Sequence, residues 1–362
     1  KYGYYATNLV TVKSGMQGTW RHLDFFQYQT ILHARFPRIL CHSCKKILTV
    51  QVDWARPQAA FTWFFDSYVM SLMKEMPVNA VARLVKEHDT RLWRIFHYYV
   101  NRAMNNLDFT KVKRIAMDET SSKRGHQYVT LFLDVDTKKV LFATEGKSAD
   151  SLLVFKYFLK EKGLSTDQIE EFCCDMSPAF IKGIQEQFPK SQITFDKFHV
   201  MKMVNEAVDQ VRREEQSDTP ELKKTRFLWL KNENNLSVKQ KQHFVKLKDM
   251  NLKTAKAYRL KLGLQDLWSV KAIFADLYFQ EWYQWAIRTK IIPMIDVAKS
   301  LKRHEDGILR WFQTKMTNGL LEGVNSLVQA TKRKARGYRS ASNFIAMIYA
   351  TVNKLDVSVN PH

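Results

Sequence analysis

The apolar positions of this chain follow different periods in successive segments. Residues 1–57 carry short, irregularly alternating apolar runs, which predict strands. From 58 to 106 the apolar residues recur at helical spacing, and 77–100 ("PVNAVARLVKEHDTRLWRIFHYYV") has the lengths of helix, short turn and helix. This pattern is typical of a DNA-binding helix-turn-helix, and a plain helical hairpin in a scaffold has the same one.

The next segment changes to the period of strands. Three runs, 113–119 ("KRIAMDE"), 127–136 and 139–146, are joined by short turns and predict an antiparallel meander. Helix and strand patterns then alternate, with buried strands predicted at 169–176 ("IEEFCCDM") and 192–200 ("QITFDKFHV"). Three antiparallel strands followed by two parallel ones are the order of a ribonuclease-H-like mixed sheet, not of a doubly wound one.

The second half of the chain is helical in pattern. Residues 217–311 are charged and show no strand signal, so they predict an all-helical insertion, and 312–362 return to amphipathic helix. The predicted fold class is therefore α/β, a mixed sheet with a helical insertion, preceded by two smaller regions. The predicted segments are a strand-rich region 1–57, a helix-turn-helix region 58–107, the first part of the sheet core 108–216, the insertion 217–311 and the final part of the core 312–362.

Charge and cysteine content narrow the class of partner. The 362 residues carry 57 Lys and Arg against 36 Asp and Glu, a formal charge of +21. This balance favours a polyanionic partner, nucleic acid first, although a merely soluble basic protein has the same composition. Four cysteines are too few for a disulfide scaffold and predict a reducing compartment. No apolar run reaches transmembrane length and no signal peptide is visible, so we expect no membrane association.

Two aspartates come at the ends of predicted strands. Asp118 ends the first strand of the meander, and Asp175 ends the buried strand 169–176. Because the predicted order puts these strands side by side, we expect the two carboxylates to meet at one edge of the sheet. Two like charges held together are costly unless a cation lies between them, and Mg²⁺ prefers such carboxylates. The alternative is that each Asp caps the turn or helix after its strand.

Glu322 is the candidate for a third acid. It lies on a predicted helix among the apolar residues Leu321, Val324 and Leu327, an unusual place for a lone carboxylate. The alternative is an exposed helical acid that pairs with a basic neighbour. A basic cluster follows, and a metal-holding acid beside such a cluster suits a site that grips a phosphodiester backbone. The cluster comprises Lys332, Arg333, Lys334, Arg336 and Arg339.

The stretch "CHSC" has the spacing of half a zinc ribbon. A structural zinc needs four ligands, commonly two Cys-x-x-Cys pairs, and one pair is visible here, Cys41 and Cys44. The histidines that could replace the other pair, although their spacing gives no strong signal, are His22, His33 and His42. Cys173 and Cys174 lie on a buried strand and are predicted to be core residues.

Four blocks of sequence together carry a family resemblance. They are "AMDET" (116–120), "CCDMSPAF" (173–180), "TFDKFHVMKMVNEAVDQVRRE" (194–214) and "TNGLLEGVNSLVQATKRKARGYRS" (317–340). Their order and spacing resemble the DDE transposases of bacterial insertion sequences, and within them the ISL-three group. The resemblance covers nearly the whole chain, and the last two blocks are its most specific part.

The resemblance implies a reaction and a site. It implies that Asp118, Asp175 and Glu322 form the catalytic triad and hold two divalent ions, Mg²⁺ or Mn²⁺, at which DNA strands are cut and joined without a covalent protein–DNA intermediate. The family fills the gap between the second and third acids with a helical insertion. Asp196 and His199 match a D-x-x-H feature of such transposases. His199 could contact the scissile phosphate, orient a metal ligand, or simply pack at the start of a helix.

The resemblance also implies what the chain binds. The zinc ribbon and the helix-turn-helix are expected to bind terminal inverted repeats, as part of a homodimer or larger assembly on DNA in the bacterial cytoplasm, at the nucleoid. The family carries a second cysteine pair, expected here before Lys1, so Cys41 and Cys44 are expected to bind structural zinc in the full-length protein.

Two other functions compete with this one. A non-enzymatic DNA-binding regulator would use the same ribbon and helix-turn-helix, but it gives no reason for the acids to converge. Another ribonuclease-H-like nuclease would use the acids, but it would not need two DNA-binding modules ahead of its core.

Overall fold

The computed structural model describes residues 9–41, 46–49, 51–123, 127–146, 148–316 and 319–356. They form two compact units. The first unit combines the described residues up to Leu107 with those from Gln329 onward, and the second unit runs from Asp108 to Val328. Among the residues in these ranges, no helix combines the length and the apolar character that a membrane crossing requires.

The first unit begins with a three-stranded antiparallel sheet, which confirms the strand prediction for this segment. Its strands are β1 Leu9–Arg21, β2 Ile31–Cys41 and β3 Ile47–Thr49, in the order β1-β2-β3. Buried Trp20 contacts the rings of Phe36 and Trp54 at centroid distances of 5.8 and 5.5 Å. The zinc prediction falls on Cys44 and on the side chain of Cys41, both of which lie outside the described residues.

Three helices follow, and they confirm the predicted helix, turn and helix. They are α1 Trp63–Glu75, α2 Val78–Val85 and α3 Asp89–Asn105. The hydroxyl of Thr62 caps α1 by accepting a hydrogen bond from the Phe65 amide at 3.3 Å. Lys86 is the C-cap of α2 and has a left-handed backbone (φ 54°), and His88 caps α3, so the turn between the two helices is three residues long.

The second unit contains a five-stranded mixed sheet. Its strands are β4 Arg114–Lys123, β5 Gln127–Asp134, β6 Val140–Glu145, β7 Glu171–Cys174 and β8 Gln192–Phe195. The order across the sheet is β6-β5-β4-β7-β8. β4, β5 and β6 pair antiparallel, whereas β7 pairs in parallel with both β4 and β8. The predicted arrangement of three antiparallel strands followed by two parallel ones is confirmed.

Two strand ends differ from the prediction. β4 continues past Asp118 to Lys123, because its antiparallel partner β5 accompanies it that far, whereas its parallel partner β7 stops pairing at Ala116. β8 ends one residue before Asp196. Asp196 is the N-cap residue of a helix that takes up the rest of the predicted strand. Both differences concern the point where the pairing partner stops, which the pattern of one strand does not contain.

Helices pack on this sheet through aromatic side chains. They are α4 Asp150–Glu161, α5 Pro178–Gln187 and α6 Lys197–Glu215. Phe155 on α4 stacks on Phe132 of β5 with ring centroids 4.2 Å apart, and Phe172 of β7 meets Phe188 at 5.0 Å. All four side chains are almost fully buried, so the aromatic core of this unit lies between α4, α5 and the sheet.

The segment predicted as an all-helical insertion, 217–311, is described throughout and contains no strand. Its helices are α7 Arg226–Leu230, α8 Val238–Asp249, α9 Lys253–Asp266, α10 Ala275–Arg288, α11 Ile292–Arg303, α12 Glu305–Leu309 and α13 Trp311–Thr314. Glu215 at the end of α6 accepts hydrogen bonds from the backbone amides of Lys253 and Thr254, both at 2.8 Å. This carboxylate satisfies the free amides at the start of α9.

A buried lysine supports the inside of the insertion. Lys261 on α9 is 2% exposed, and its ammonium donates hydrogen bonds to the carbonyls of Trp229 (3.1 Å) and Leu230 (2.7 Å) at the end of α7. Burial lowers the pKa of Lys261 to about 8. The lysine thus ties α9 to α7, but it does so with a charge that the surroundings disfavour.

We expect Lys261 to make the stability of the protein depend on pH at alkaline values. The unfolded chain keeps the lysine protonated up to a pKa of about 10.4, above the folded value of about 8. Between these values the unfolded state binds more protons, so the free energy of unfolding should rise with pH, by about 1 to 3 kcal/mol in all. Urea unfolding between pH 7 and 10.5 should show this rise in the wild type and not in Lys261→Met. Lys256→Met, on an exposed position of the same helix, is the control and should keep the rise.

The insertion returns to the sheet through a close contact and a buried ion pair. α12 packs on β8 so tightly that a Cβ on Gly307 would lie 2.5 Å from the ring of Phe195. Only glycine permits this approach. Arg310 follows α12, and its Nε donates to both carboxylate oxygens of Glu171 on β7 at 2.8 Å. These contacts hold the end of the insertion against β7 and β8.

The last two helices are α14 Gly319–Lys334 and α15 Ala341–Val352. α15 packs against α3, where a hydrogen bond of 2.8 Å joins His97 Nε2 and Asn343 Oδ1. Tyr338, between the two helices, meets Trp93 of α3 with ring centroids 6.1 Å apart. Because of these contacts the chain from Gln329 onward groups with the first unit, whereas the predicted segment 312–362 assigned it to the sheet core.

Candidate active site

Asp118 on β4 and Asp175, the first residue after β7, come at matching positions along two neighbouring strands. Ala116 of β4 stands opposite Cys173 of β7 in the parallel register, so two residues further on Asp118 comes opposite Asp175. Side chains alternate between the faces of a sheet, so both carboxylates project from the same face. The charge of Asp175 acts on Asp118, as expected for two acids close together at this edge of the parallel pairing.

The carboxylate of Asp118 is half-buried and held by two donors. Its Oδ1 accepts the backbone amide of Glu119 at 2.8 Å, and its Oδ2 accepts the side-chain amide of Asn325 at 2.6 Å. Burial raises the pKa of Asp118 above its ordinary value, and the charge of Asp175 adds to the rise, whereas the donors and His199 oppose it. The negative charge of the two carboxylates is therefore not fully balanced by nearby positive groups. This is the electrostatic condition that favours binding of a cation.

Asp175 also stabilises the turn that leads into the next helix. Its Oδ1 accepts the backbone amide of Ser177 at 2.9 Å, directly before α5. The alternative interpretation from the sequence, a capping aspartate, therefore describes part of what Asp175 does. One oxygen of this carboxylate is engaged in the turn, and the same side chain still acts on the charge of Asp118.

A third aspartate extends the row across the sheet. Cys174 stands opposite Phe195 in the register of β7 and β8, so Asp196 follows beside Asp175. Asp196 is 1% exposed, and its Oδ2 lies 3.2 Å from Nδ1 of His199, one turn into α6.

His199 interacts electrostatically with all three aspartates, Asp118, Asp175 and Asp196. The hydrogen bond to Asp196 raises the pKa of His199, and the charges of Asp118 and Asp175 raise it further, against the effect of burial. The imidazole is thus held by one acid while it faces the field of two others. This position fits a group that orients an acid or meets a phosphate, and the role of His199 stays a prediction.

Glu322 lies on the helix that reaches Asp118. It is exposed, in the first turn of α14, whereas its neighbours Leu321 and Val324 are buried. Asn325, which donates to Asp118, comes three residues later and so lies on the same side of the helix, about 5 to 6 Å away between Cβ atoms. Glu322 also borders an open cleft of about 540 Å³ that Asp196 borders too.

The three predicted acids do not form a closed cluster. Within the described ranges, no three side chains of His, Cys, Asp or Glu are close enough to hold one metal ion together. The structure brings Asp118 and Asp175 together and places Glu322 one helical turn from the partner of Asp118. The metal-ligand roles of the three acids stay predictions.

The atoms around Asp118 nevertheless suit a hard divalent cation. The side-chain oxygen of Asn325 is buried and has no hydrogen-bond partner among the described residues, while the nitrogen of the same amide is on Asp118. Two carboxylates and an unmatched amide oxygen form an all-oxygen donor set, the type that Mg²⁺ and Mn²⁺ take. The residues present therefore fit such an ion at Asp118 and Asp175.

Asn325 is the site residue that sequence reasoning missed. It lies inside the quoted block "TNGLLEGVNSLVQATKRKARGYRS", three residues after Glu322. That spacing puts it on the same helix face as the predicted acid and was the available signal. An amide side chain carries no charge, so a single sequence does not mark it as part of a cation site in the way that it marks an acid.

The predicted basic cluster lies at and after the end of α14, in the first unit. Lys334 donates a hydrogen bond to the carbonyl of Lys74 at 3.3 Å, and Arg336 has a left-handed backbone (φ 57°) where the helix ends. The side chains of Arg333, Lys334, Arg336 and Arg339 are exposed, and that of Lys332 is half-buried. These residues share the compact unit that contains the helix-turn-helix.

Comparison with known proteins decides the family. A family model described as "Transposase" matches residues 115–348, more than half of the chain. The chain belongs to the ISL3 family of DDE transposases. A second model, a helix-turn-helix domain of transposase family ISL3, matches residues 50–100 of this transposase. A third, a zinc finger of insertion-sequence transposases, matches residues 10–44, which include Cys41 and Cys44.

Curated relatives of this ISL3 transposase carry the same description. This chain is 27% identical over 339 residues to the transposase for insertion sequence element IS1001 of Bordetella parapertussis, and the match covers 91% of this chain and 83% of that one. It is 26% identical over 366 residues to the transposase for IS1557 of Mycobacterium tuberculosis, covering 92% and 81%. The resemblance seen in the sequence is confirmed, and a regulator without enzyme activity is not favoured.

A chain of known structure is among those that this ISL3 transposase matches. It is a chain of the simian T-cell lymphotropic virus intasome in complex with the regulatory subunit B56 gamma of PP2A. The match covers 51% of this chain and 69% of that one, at 13% identity and a TM-score of 0.20. A score this low supports no statement about the fold.

Proposed function

We propose that this transposase binds the terminal inverted repeats of its insertion sequence and cuts and joins DNA strands with Mg²⁺ or Mn²⁺ held by Asp118, Asp175 and Glu322. The observation that carries the proposal is the row at the sheet edge. Asp118 and Asp175 share one face, and Asn325 joins Asp118 to the helix that bears Glu322. Glu322 lies one helical turn from Asn325 on α14. Binding of divalent ions and DNA would draw Glu322 toward Asp118 and Asp175.

The sheet supports a ribonuclease-H-like core as the setting of this chemistry. Its strand order and its pattern of three antiparallel and two parallel strands are those of such a core. In this arrangement β4 and β7 supply one acid each from adjacent strands. The helical insertion then separates them in sequence from the third acid.

The residues of the chain have separate tasks in the proposed reaction. Divalent ions, when bound, supply Lewis acidity for water or a 3′ hydroxyl and for the leaving oxygen. Asp118 and Asp175 hold them, and Asn325 keeps the Asp118 carboxylate oriented through its amide. His199, fixed by Asp196, is placed to donate a hydrogen bond to a phosphate oxygen. No serine or tyrosine nucleophile is required.

The first unit supplies DNA binding in this proposal. Cys41 and Cys44 provide two of the four ligands of a structural zinc in the ribbon, and the helix-turn-helix binds the repeat. The exposed cations after α14 contact the DNA backbone. The active form is a homodimer or larger assembly, because two transposon ends are processed together, and it acts at the bacterial nucleoid.

The test is a reaction of the full chain with duplex DNA that ends in the terminal repeat of its element. With Mg²⁺ or Mn²⁺ we expect cleavage at the repeat, a free 3′ hydroxyl, and joining of that end to a target plasmid. Gel analysis of labelled strands and sequencing of the junctions measure both steps. Binding without cleavage in either ion would contradict the proposal, and so would cleavage that does not depend on the repeat.

A further inference from the structure

The helix α3 has one polar face that the rest of the unit leaves uncovered. Its exposed side chains recur at positions that fall within one third of the helix circumference. They are Thr90, Arg94, Tyr98, Asn101, Arg102 and Asn105. The face carries two cations and no acid, in a chain whose net charge is +21. A surface of this kind complements the negative potential of DNA.

The opposite face of α3 fixes the direction in which this polar face points. Leu92, Ile95 and Phe96 are at most 1% exposed. On the flank, Trp93 meets Tyr338, and His97 is hydrogen-bonded to Asn343. α3 therefore cannot rotate about its axis without breaking the core of the unit, so the polar face is presented in one orientation.

Arg94 and Asn101 are free to reach a ligand, whereas their neighbour Arg91 is not. Arg91, one turn earlier, is engaged by Glu87 at 2.5 Å and lies over the ring of Phe61. Neither Arg94 nor Asn101 has a hydrogen bond or ion pair among the residues that the structure describes. Both are exposed on the same side of α3.

The spacing of the two residues matches the spacing of base pairs. They are seven residues apart, which is nearly two full turns, so they project in almost the same direction. Seven residues rise about 10.5 Å along a helix, and three base pairs rise about 10 Å along B-DNA. An α-helix fits the major groove with such a row facing the base edges.

The geometry points to α3 as the base-reading helix of the repeat, with Arg94 on a guanine and Asn101 on an adenine about three base pairs away. Arginine binds both O6 and N7 of guanine, and asparagine binds both N6 and N7 of adenine. Arg83 and Lys86 at the end of α2, and Arg102 on the same face of α3, are exposed cations that would contact phosphates. This inference rests on the proposed function, since it names the part of the repeat that the helix-turn-helix reads.

The experiment selects bound sequences from a library in which the terminal repeat is randomised, using the full chain as Asp118→Asn so that DNA is not cut. We expect a G·C pair and an A·T pair at a separation of about three. In the Arg94→Lys background, which keeps the charge but loses the forked geometry, the preference for guanine should fall from tenfold or more to about threefold or less. In Asn101→Ala the preference for adenine should fall alike, and each variant should keep the other preference.

The control is Arg83→Ala, which removes a charge from α2 without touching the row. It should weaken binding to all sequences by a similar factor, with both preferences intact. The inference is overturned if both preferences persist in Arg94→Lys and Asn101→Ala, or if Arg83→Ala erases them too. Because selection measures binding alone, a chain that fails to cleave DNA would leave this result readable, and the proposed function and the inference can fail separately.

Discussion

Replacing Asp118 with Asn should reduce metal-dependent cleavage and joining by about a thousandfold or more, with DNA binding unchanged. The substitution keeps the shape and one oxygen of the side chain but removes the charge that the proposed ion needs. Asp118 is also the acid that Asn325 orients and that shares the sheet face with Asp175. Binding should survive because the helix-turn-helix belongs to the other compact unit.

The matched control for this variant is Asp136→Asn. Asp136 lies in the turn after β5 of the same sheet, and it pairs with Arg114 at the surface. Its neutralisation should leave cleavage within about twofold of the wild type, because the pair is exposed. Rates with labelled repeat ends and binding by gel shift separate the two steps. Wild-type cleavage by Asp118→Asn in Mg²⁺ would remove Asp118 from the site.

Replacing Arg310 with Met should lower the free energy of unfolding more than replacing an arginine of an exposed ion pair. Glu171 is 4% exposed, and its carboxylate is met by the Arg310 guanidinium at 2.8 Å on both oxygens and by the Thr194 hydroxyl at 2.7 Å. Arg310→Met leaves that carboxylate buried with the hydroxyl as its remaining donor. Breaking a buried pair from one side costs about 3 to 5 kcal/mol. Because the Arg310 side chain is 29% exposed, we expect the lower end of this range. Urea unfolding of wild type and variant gives the free energy of unfolding that tests this.

Two further variants decide whether the cost comes from the buried charge. The double variant Glu171→Leu with Arg310→Met removes both charges and should recover most of the loss, because a buried pair is often replaceable by apolar groups. Arg114→Met breaks the exposed pair with Asp136 and should cost less than about 1 kcal/mol. An Arg310→Met protein as stable as Arg114→Met would show that the buried pair does not hold the insertion against the sheet.

The sheet was predictable because its order follows from local periods. Three alternating runs with short turns can only pair with one another, and strands separated by helices pair in parallel, so Asp118 and Asp175 were expected at one edge. The length of β4 was not predictable, because its last residues depend on the reach of β5 across the turn.

Other features depended on contacts that a single sequence does not show. The carboxamide of Asn325 becomes part of the site only through its bond to Asp118, more than 200 residues away. The grouping of α15 with the helix-turn-helix depends on His97 and Asn343, which are equally remote in sequence. The distance of Glu322 from the two aspartates depends on where α14 lies relative to the sheet. The pattern of apolar residues predicts the helix but not its position.

The glycine at the edge of the sheet has a consequence for the behaviour of the protein in solution. β8 is an outermost strand, and such strands offer unpaired backbone groups to other chains. A Cβ at Gly307 would come within 3.1 Å of the carbonyl oxygen of Ile193, so α12 lies directly over that edge. A larger residue at 307 would push α12 away and expose the unpaired edge of β8. We expect the first effect to be aggregation during expression at high concentration.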